Sequence, residues 1–445
     1  MNGSISKIVF AVFLPTFFSI LSWGQFTPLE KSLPNPPQPG GLGTYGYPQG
    51  GNRYVEPKQA NPHQAPIEQD VLRRQRQNAQ IMRDVEEAER DFREMEANYT
   101  LPKCVNELGR KPYEQAFATL DRMLRSDTIS LKRAVFVVEN AFFENKMKYE
   151  IFNSFIKEYI SICKWKLKHD GYKENDKLAK LFVLYQFFSD TIKYQDAKTK
   201  QWKTHYPFKY DFDDYMGKQD YSKQFVSKLM VSQSGQCHSM PLLFLILAEE
   251  WSADAYLSFS PSHTFVRYTD DKGKVGNIEL TNGRLTSDSW IMASGFVKAE
   301  AIKNKIYLDT LSNKKIIAQC FVDLAQQYYR KYCHDEFTLR CSQKALDYFP
   351  NNIFALQVKS DYYTLLFSHV IKKIGMPPPQ YLPDYPLANN IFITRNELYS
   401  LIDNMGYEPM PAKDYENWLQ SVEEETNKQE SERLKTNIRQ AIKKD

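Results

Sequence analysis

The sequence predicts an α+β fold in which one buried helix packs on antiparallel strands and mostly helical regions flank that centre on both sides. Two observations carry the centre. Residues 240–248, MPLLFLILA, form an apolar run without a polar face, the pattern of a helix buried all round. After Trp251 the period becomes two: DAYLSF, HTFVRY and VGNIELT alternate as strands do, separated by Ser260-Pro261-Ser262 and Asp270-Asp271-Lys272-Gly273 and closed by Asn282-Gly283. Spacings of three and four before and after this stretch supply the helical flanks.

At 445 residues, 42% hydrophobic and 14% aromatic, the chain has enough apolar surface for two or three domains. A net charge of +4 without a long basic block, and no nucleic-acid-binding motif, give no reason to expect nucleic acid as a partner.

From the N-terminus, Lys7 followed by apolar Ile8–Leu21, with Ser22 and Gly24 ahead of Gln25, predicts a signal peptide over 1–24. The apolar run is short of the roughly 20 residues a spanning helix needs, and Pro15 and Ser19 weaken it further, so cleavage is expected rather than an anchor. No later stretch is long and apolar enough to span a bilayer, which makes the expected product periplasmic or extracellular with no stable membrane span. Residues 25–69 are rich in Pro, Gly and Gln and predict a disordered linker.

A helical region is expected over 70–198. Ile81, Val85, Ala88, Phe92 and Met95 fall on one face of a charged helix, predicted to dock on the domain that follows. A self-associating coiled coil is the alternative, disfavoured by a stripe of only about two heptads. Asn98-Tyr99-Thr100 matches a glycosylation sequon. Residues 201–221, QWKTHYPFKYDFDDYMGKQDY, read as a structured aromatic and acidic loop that either walls a cleft or simply packs.

The α+β core is expected over 199–300 and a further helical region over 301–445. In the latter, Tyr329, Ala345 and Pro350 sit at offsets resembling a tetratricopeptide repeat, although Thr338 and Ser342 depart from that pattern. One or two such units make a short helical appendage, not a solenoid. The tail after Ala412 reads as a solvated helix that frays. Six cysteines, Cys104, Cys163, Cys237, Cys320, Cys333 and Cys341, lie far apart without CxxC pairs, which argues against a zinc knuckle and leaves one or two disulfides of undetermined pairing.

The chemistry centres on SGQCHSMPLLF. Cys237 stands where the apolar helix begins, and Pro241 fits its first turn. Unsatisfied N–H groups and partial positive charge at a helix start favour thiolate over thiol. A thiol nucleophile needs a base, and the base a partner that fixes its tautomer. His263 opens one strand and Glu279 lies on the next; a hairpin about Asp270–Gly273 brings them within a residue or two of each other, with Asn277 as the reserve orienting residue. His238 diverges from Cys237 by about 100° on a helix and reads as a cleft-wall residue. Zinc on Cys237, His263 and Glu279 lacks local ligand-pair spacing, and no metal or cofactor is expected.

GQC ahead of a buried helix, then a strand-borne His and an acid on the next strand, resembles the transglutaminase-like superfamily of papain-fold thiol enzymes. YDFDDYMGKQDY, SPSH and NIELTNG are similar to an exported bacterial branch that joins such a domain to tetratricopeptide-like helices. The resemblance covers about 210–285. It implies a papain/transglutaminase-like core with Cys237 as nucleophile, His263 as general base and acid, and Glu279 as orienting carboxylate. Glu replaces the commoner Asp, and no Trp follows the cysteine. The oxyanion donors expected are the Cys237 N–H and a side chain, Gln236 or Gln233. The implied activity is that of an exported cysteine hydrolase or acyltransferase acting on an amide or ester bond of a peptide or protein. The alternative is a non-catalytic envelope scaffold whose C-terminal helices bind a protein partner.

Overall fold

A computed structural model of the chain describes residues 64–96, 99–126, 129–270, 272–294 and 297–411, with short runs between 413 and 424. The expected signal peptide, nearly all of the expected linker and Asn98 of the sequon lie outside the described residues. Helix α1 spans Gln64–Glu96, so helix begins inside the stretch read as linker up to residue 69.

Four helices follow, α2 Glu107–Arg125, α3 Leu131–Phe142, α4 Tyr149–His169 and α5 Lys177–Ser189. Asn106, Ser130 and Asp176 cap the starts of α2, α3 and α5 by accepting an N–H of the first turn. Next come a hairpin, β1 Ile192–Gln195 with β2 Trp202–His205, and β3 Lys209–Tyr210. After α6, Val226–Ser232, the pair Ser234–Gly235 forms β4, which lies parallel to β3 in the register Lys209↔Ser234 and Tyr210↔Gly235. Helix α7, Ser239–Trp251, leads into an antiparallel sheet of β5 Tyr256–Ser260, β6 His263–Thr269, β7 Val275–Glu279 and β8 Arg284–Thr286, joined in chain order. Short α8, Asp288–Ser294, and α9, Ala299–Lys303, precede α10 Asn313–Lys331, α11 Glu336–Tyr348, α12 Ile353–Lys373 and α13 Pro386–Asn404.

The expected strands and their turns are present, but the fold class has to be corrected. The described residues are mostly helical, and the strands are few and short. The papain/transglutaminase-like α+β core does not describe the molecule. The physical reason is where the apolar surface meets. One hydrophobic cluster takes in Tyr113 and Leu120 of α2, Ala134 and Val138 of α3, all the large apolar residues of α7, Val266 and Ile278 of the sheet, and Phe321 and Leu324 of α10. The sheet is therefore one small layer against a helical body. Helix α10 is central to that body, packing on α2, α3, α11 and α12. Period-two alternation in the sequence reports that strands exist, not what share of the core they supply.

The helices α10 and α11 pack as a hairpin in which Thr338, Ser342 and Ala345 are fully buried. Small side chains there let the two backbones approach closely. A second difference concerns α1, whose stripe does not dock: Ile81, Val85, Phe92 and Met95 are exposed. The helix is held by its polar C-terminal end, where Glu94 accepts the N–H groups of Leu387 at 2.8 Å and Ala388 at 3.4 Å and Arg90 pairs with Asp384. These are the orphan donors at the start of α13, and a carboxylate satisfies them better than an apolar face would. Among the described residues no helix is long and apolar enough to cross a membrane. Cys104 and Cys333 form a disulfide that ties the segment before α2 to the turn between α10 and α11.

Candidate functional site

The site forms where β3, β4, the start of α7 and the head of β6 converge. Regular helix begins at Ser239 with His238 as its cap, which leaves Cys237 two residues upstream in the turn. The hydroxyl of Thr264, the second residue of β6, donates to the Cys237 carbonyl and holds this turn to the sheet. Gly235 sits one residue before Gln236 because nothing larger fits. A Cβ there would stand 2.8 Å from both Leu229 Cδ1 and Ser239 Oγ. In Gly235→Ala the α6–α7 packing must give way, with an expected loss of roughly 1–3 kcal/mol in urea unfolding. An unchanged midpoint would show that the approach is not needed.

Antiparallel register places Val266 opposite Ile278 and Arg267 opposite Asn277, so His263, Phe265 and Arg267 share a face with Asn277 and Glu279. On this face His263 Nε2–H donates to Glu279 Oε2 at 2.6 Å. The other carboxylate oxygen of Glu279 accepts the Thr281 N–H at 2.9 Å. Both side chains are buried, His263 at 7% and Glu279 at 2% exposure, so little water screens the pair. The Cys237 thiol is the second group that acts on the imidazole. With Nε2 committed to Glu279, Nδ1 is the nitrogen left for the thiol.

The electrostatics follow from this chain of contacts. Burial pushes the Cys237 thiol up, but the hydrogen bond and positive charge of His263, helped by the charge of His238, bring it below its ordinary value. Burial works against a charged His263, and the Glu279 carboxylate with the hydrogen bond to Cys237 more than reverses it, raising the imidazole to about 10. Glu279 is destabilised as an anion by burial, yet His263 and Thr281 hold it below the usual range. The combination shifts the balance toward a thiolate–imidazolium pair.

His238 forms a second imidazole pair, with a carboxylate. Its Nδ1 lies 3.1 Å from the Gln224 carbonyl and its Nε2 3.4 Å from Asp323 Oδ2. Both partners only accept, so the ring is satisfied as a cation; burial lowers its pKa, and Asp323 with the Gln224 carbonyl lifts it to about 9. Asp323 is held in turn by Gln319 Nε2 at 3.0 Å, and Gln319 by Asn352 Nδ2 at 2.9 Å.

The remaining sequence candidates lie elsewhere. Asn277 Nδ2 donates to Asp288 Oδ1 at 2.8 Å, in a cluster with Arg267, away from the imidazole. Gln233 ends α6 in the left-handed conformation with its side chain exposed. Gln236 is fully buried, but its amide donates to the carbonyls of Asp214 at 2.8 Å and Asp211 at 3.4 Å and accepts from Gln224. It thus anchors the 211–220 loop, where Asp214 also collects the N–H groups of Lys218, Gln219 and Asp220.

Sequence reasoning missed three residues here. Tyr210, paired with Gly235 across β3 and β4, and Tyr415, from the short helical run at 413–417, both turn their hydroxyls toward Cys237. Tyr210 lay within the quoted aromatic stretch, but no spacing links it to a cysteine 27 residues on. Asp323 did leave a signal: Gln319, Asp323 and Gln327 recur every fourth residue along α10, and all three are buried. Among the described residues no three His, Cys, Asp or Glu side chains converge as metal ligands would.

No family model matches the chain, and no curated protein matches it. A solved structure of menin, described as revealing the binding site for Mixed Lineage Leukemia (MLL) protein, is similar at 12% identity and a TM-score of 0.38, covering 69% of this chain and 73% of that one.

Proposed function

We propose that the chain is a thiol-dependent hydrolase or acyltransferase acting on an amide or ester bond of a peptide or protein. The observation that supports this most is His263 standing between the Cys237 thiol and the Glu279 carboxylate, the nucleophile–base–orienter arrangement of acyl transfer. In the proposed reaction the Cys237 thiolate attacks the carbonyl carbon to give a tetrahedral oxyanion. His263 Nδ1–H protonates the departing amine or alcohol as its bond to carbon breaks, leaving a thioester on Sγ. The now neutral imidazole takes a proton from water or an acceptor amine, which attacks the thioester and releases the thiolate. Glu279 keeps the imidazole ring oriented and its cationic form stable throughout.

Export belongs to the same reading. The apolar leader ahead of Ser22 and Gly24 supports it, and the Cys104–Cys333 disulfide is of a kind that persists in oxidising compartments.

Acylation by p-nitrophenyl acetate tests the proposal. Wild type is expected to release a burst of p-nitrophenolate and carry an acetyl group on the Cys237 peptide, and Cys237→Ala to do neither. The burst rate should rise with pH through a value below that of an ordinary thiol. With an amide substrate it should fall again near pH 10, where His263 loses the proton that the leaving amine needs. The second reading, a scaffold with an idle thiol, draws support from the exposed Ile81, Val85 and Phe92 stripe of α1. A Cys237 that neither acylates nor titrates low would leave that reading in place.

A further inference from the structure

Resting on the acyl-transfer reading, we infer that Tyr210 is a catalytic residue whose hydroxyl donates a hydrogen bond to the oxyanion formed when Cys237 attacks a carbonyl. Such a donor has to sit beside the nucleophile, keep its proton and not be spent on another acceptor. Position comes from the backbone. The two-residue parallel ladder sets Tyr210 against Gly235, and the Asp211 N–H bonds to the Gly235 carbonyl at 2.8 Å, so Tyr210 is fixed next to the turn that presents Cys237.

Availability separates Tyr210 from Gln236, Thr264 and Gln233. The Gln236 amide is taken up by loop carbonyls, the Thr264 hydroxyl by the Cys237 carbonyl, and Gln233 faces outward. The buried Tyr210 hydroxyl lies against the Cys237 sulfur and the Tyr415 hydroxyl. Among the described residues, however, none meets it with the geometry of a full hydrogen bond. A buried hydroxyl left in that condition is costly unless an acceptor arrives during the reaction. Its proton is secure, because burial and the neighbouring charge of Cys237 hold the phenol well above its ordinary range.

The test compares two reactions of the same thiol in the full chain. Acylation by p-nitrophenyl acetate forms the S–C bond, breaks the ester C–O bond with its electron pair leaving on p-nitrophenolate, and passes through an oxyanion. Alkylation by iodoacetamide displaces iodide at a saturated carbon and forms none. In Tyr210→Phe the acylation rate constant is expected to fall by roughly 10²-fold, while the iodoacetamide rate stays within about twofold of wild type across the pH profile. Equal acylation in wild type and Y210F overturns the inference alone. A parallel loss of both reactions in a folded variant overturns it too, since Tyr210 would then act on the thiol. If Y210F fails to fold, 3-fluorotyrosine at position 210 decides: faster acylation at an unchanged iodoacetamide rate supports the donor role, and unchanged acylation overturns it. A wild type that never acylates at Cys237 removes the acyl-transfer reading and this inference together.

Discussion

In His263→Ala, iodoacetamide labelling of Cys237 near pH 6.5 is expected to slow by about 10²-fold, and acyl transfer by about 10³–10⁴-fold. Two opposing influences set the first figure. Burial alone pushes the thiol up, and the hydrogen bond and charge of His263 are the strongest effects acting against it. Without the imidazole the smaller contribution of His238 remains, burial prevails, and the thiol returns to about 8.5 or higher, where only about 1% is ionised near pH 6.5. The second figure is larger because the variant also lacks the group that protonates the leaving amine and deprotonates water. Labelling against pH by mass spectrometry measures the first effect directly. A variant with the wild-type profile would mean that His263 does not activate the thiol, whatever its distance from Glu279.

The largest expected loss of stability lies far from the thiol. In Asp335→Ala we expect about 3–5 kcal/mol in urea unfolding with the disulfide kept oxidised. Asp335 is only 1% exposed and serves several donors at once. Arg110 pairs with it, the Tyr328 hydroxyl donates at 2.7 Å, and the N–H groups of Phe337 and Cys104 approach at 2.8 and 3.2 Å. Removing the carboxylate uncaps α11, worth about 1 kcal/mol, and leaves a partly buried guanidinium without its counter-charge and a buried phenol without its acceptor. The contrast is the bidentate pair Arg340–Glu114, exposed enough for its contribution to stay within about 0–1 kcal/mol. A cost below 1 kcal/mol for Asp335→Ala would show that water takes over its role.

The features that the sequence made legible are local ones. The buried character of α7, the alternation of β5 to β7, the turn signals at Gly273 and Gly283, both with positive φ, and the caps at Ser130 and Asp176 all follow from neighbours a few residues apart. The juxtaposition of Cys237, His263 and Glu279 was legible for the same reason, since a helix start and one hairpin bring them together. The donor positions were not: Gln236 and Gln233 stand one and four residues before Cys237 in sequence, but the backbone around them spends one on a loop and turns the other outward.

By itself, then, the sequence determined the main helices, the strands β5 to β7 and which reactive side chains share a strand face, but not the β1–β2 hairpin or β3, which lie where helix up to 198 and a loop over 201–221 are expected. Side-chain periodicity is a property of a single element, and one chain of letters carries it completely. Only the tertiary structure decided that helices rather than strands make most of the core, that the α1 stripe stays exposed while Glu94 does the docking, and that Tyr210 and Tyr415 stand by the thiol and Asp323 by His238. Each depends on which apolar faces and orphan backbone groups meet across long stretches of chain. That choice is made by the burial available to all elements together, and no single segment encodes it.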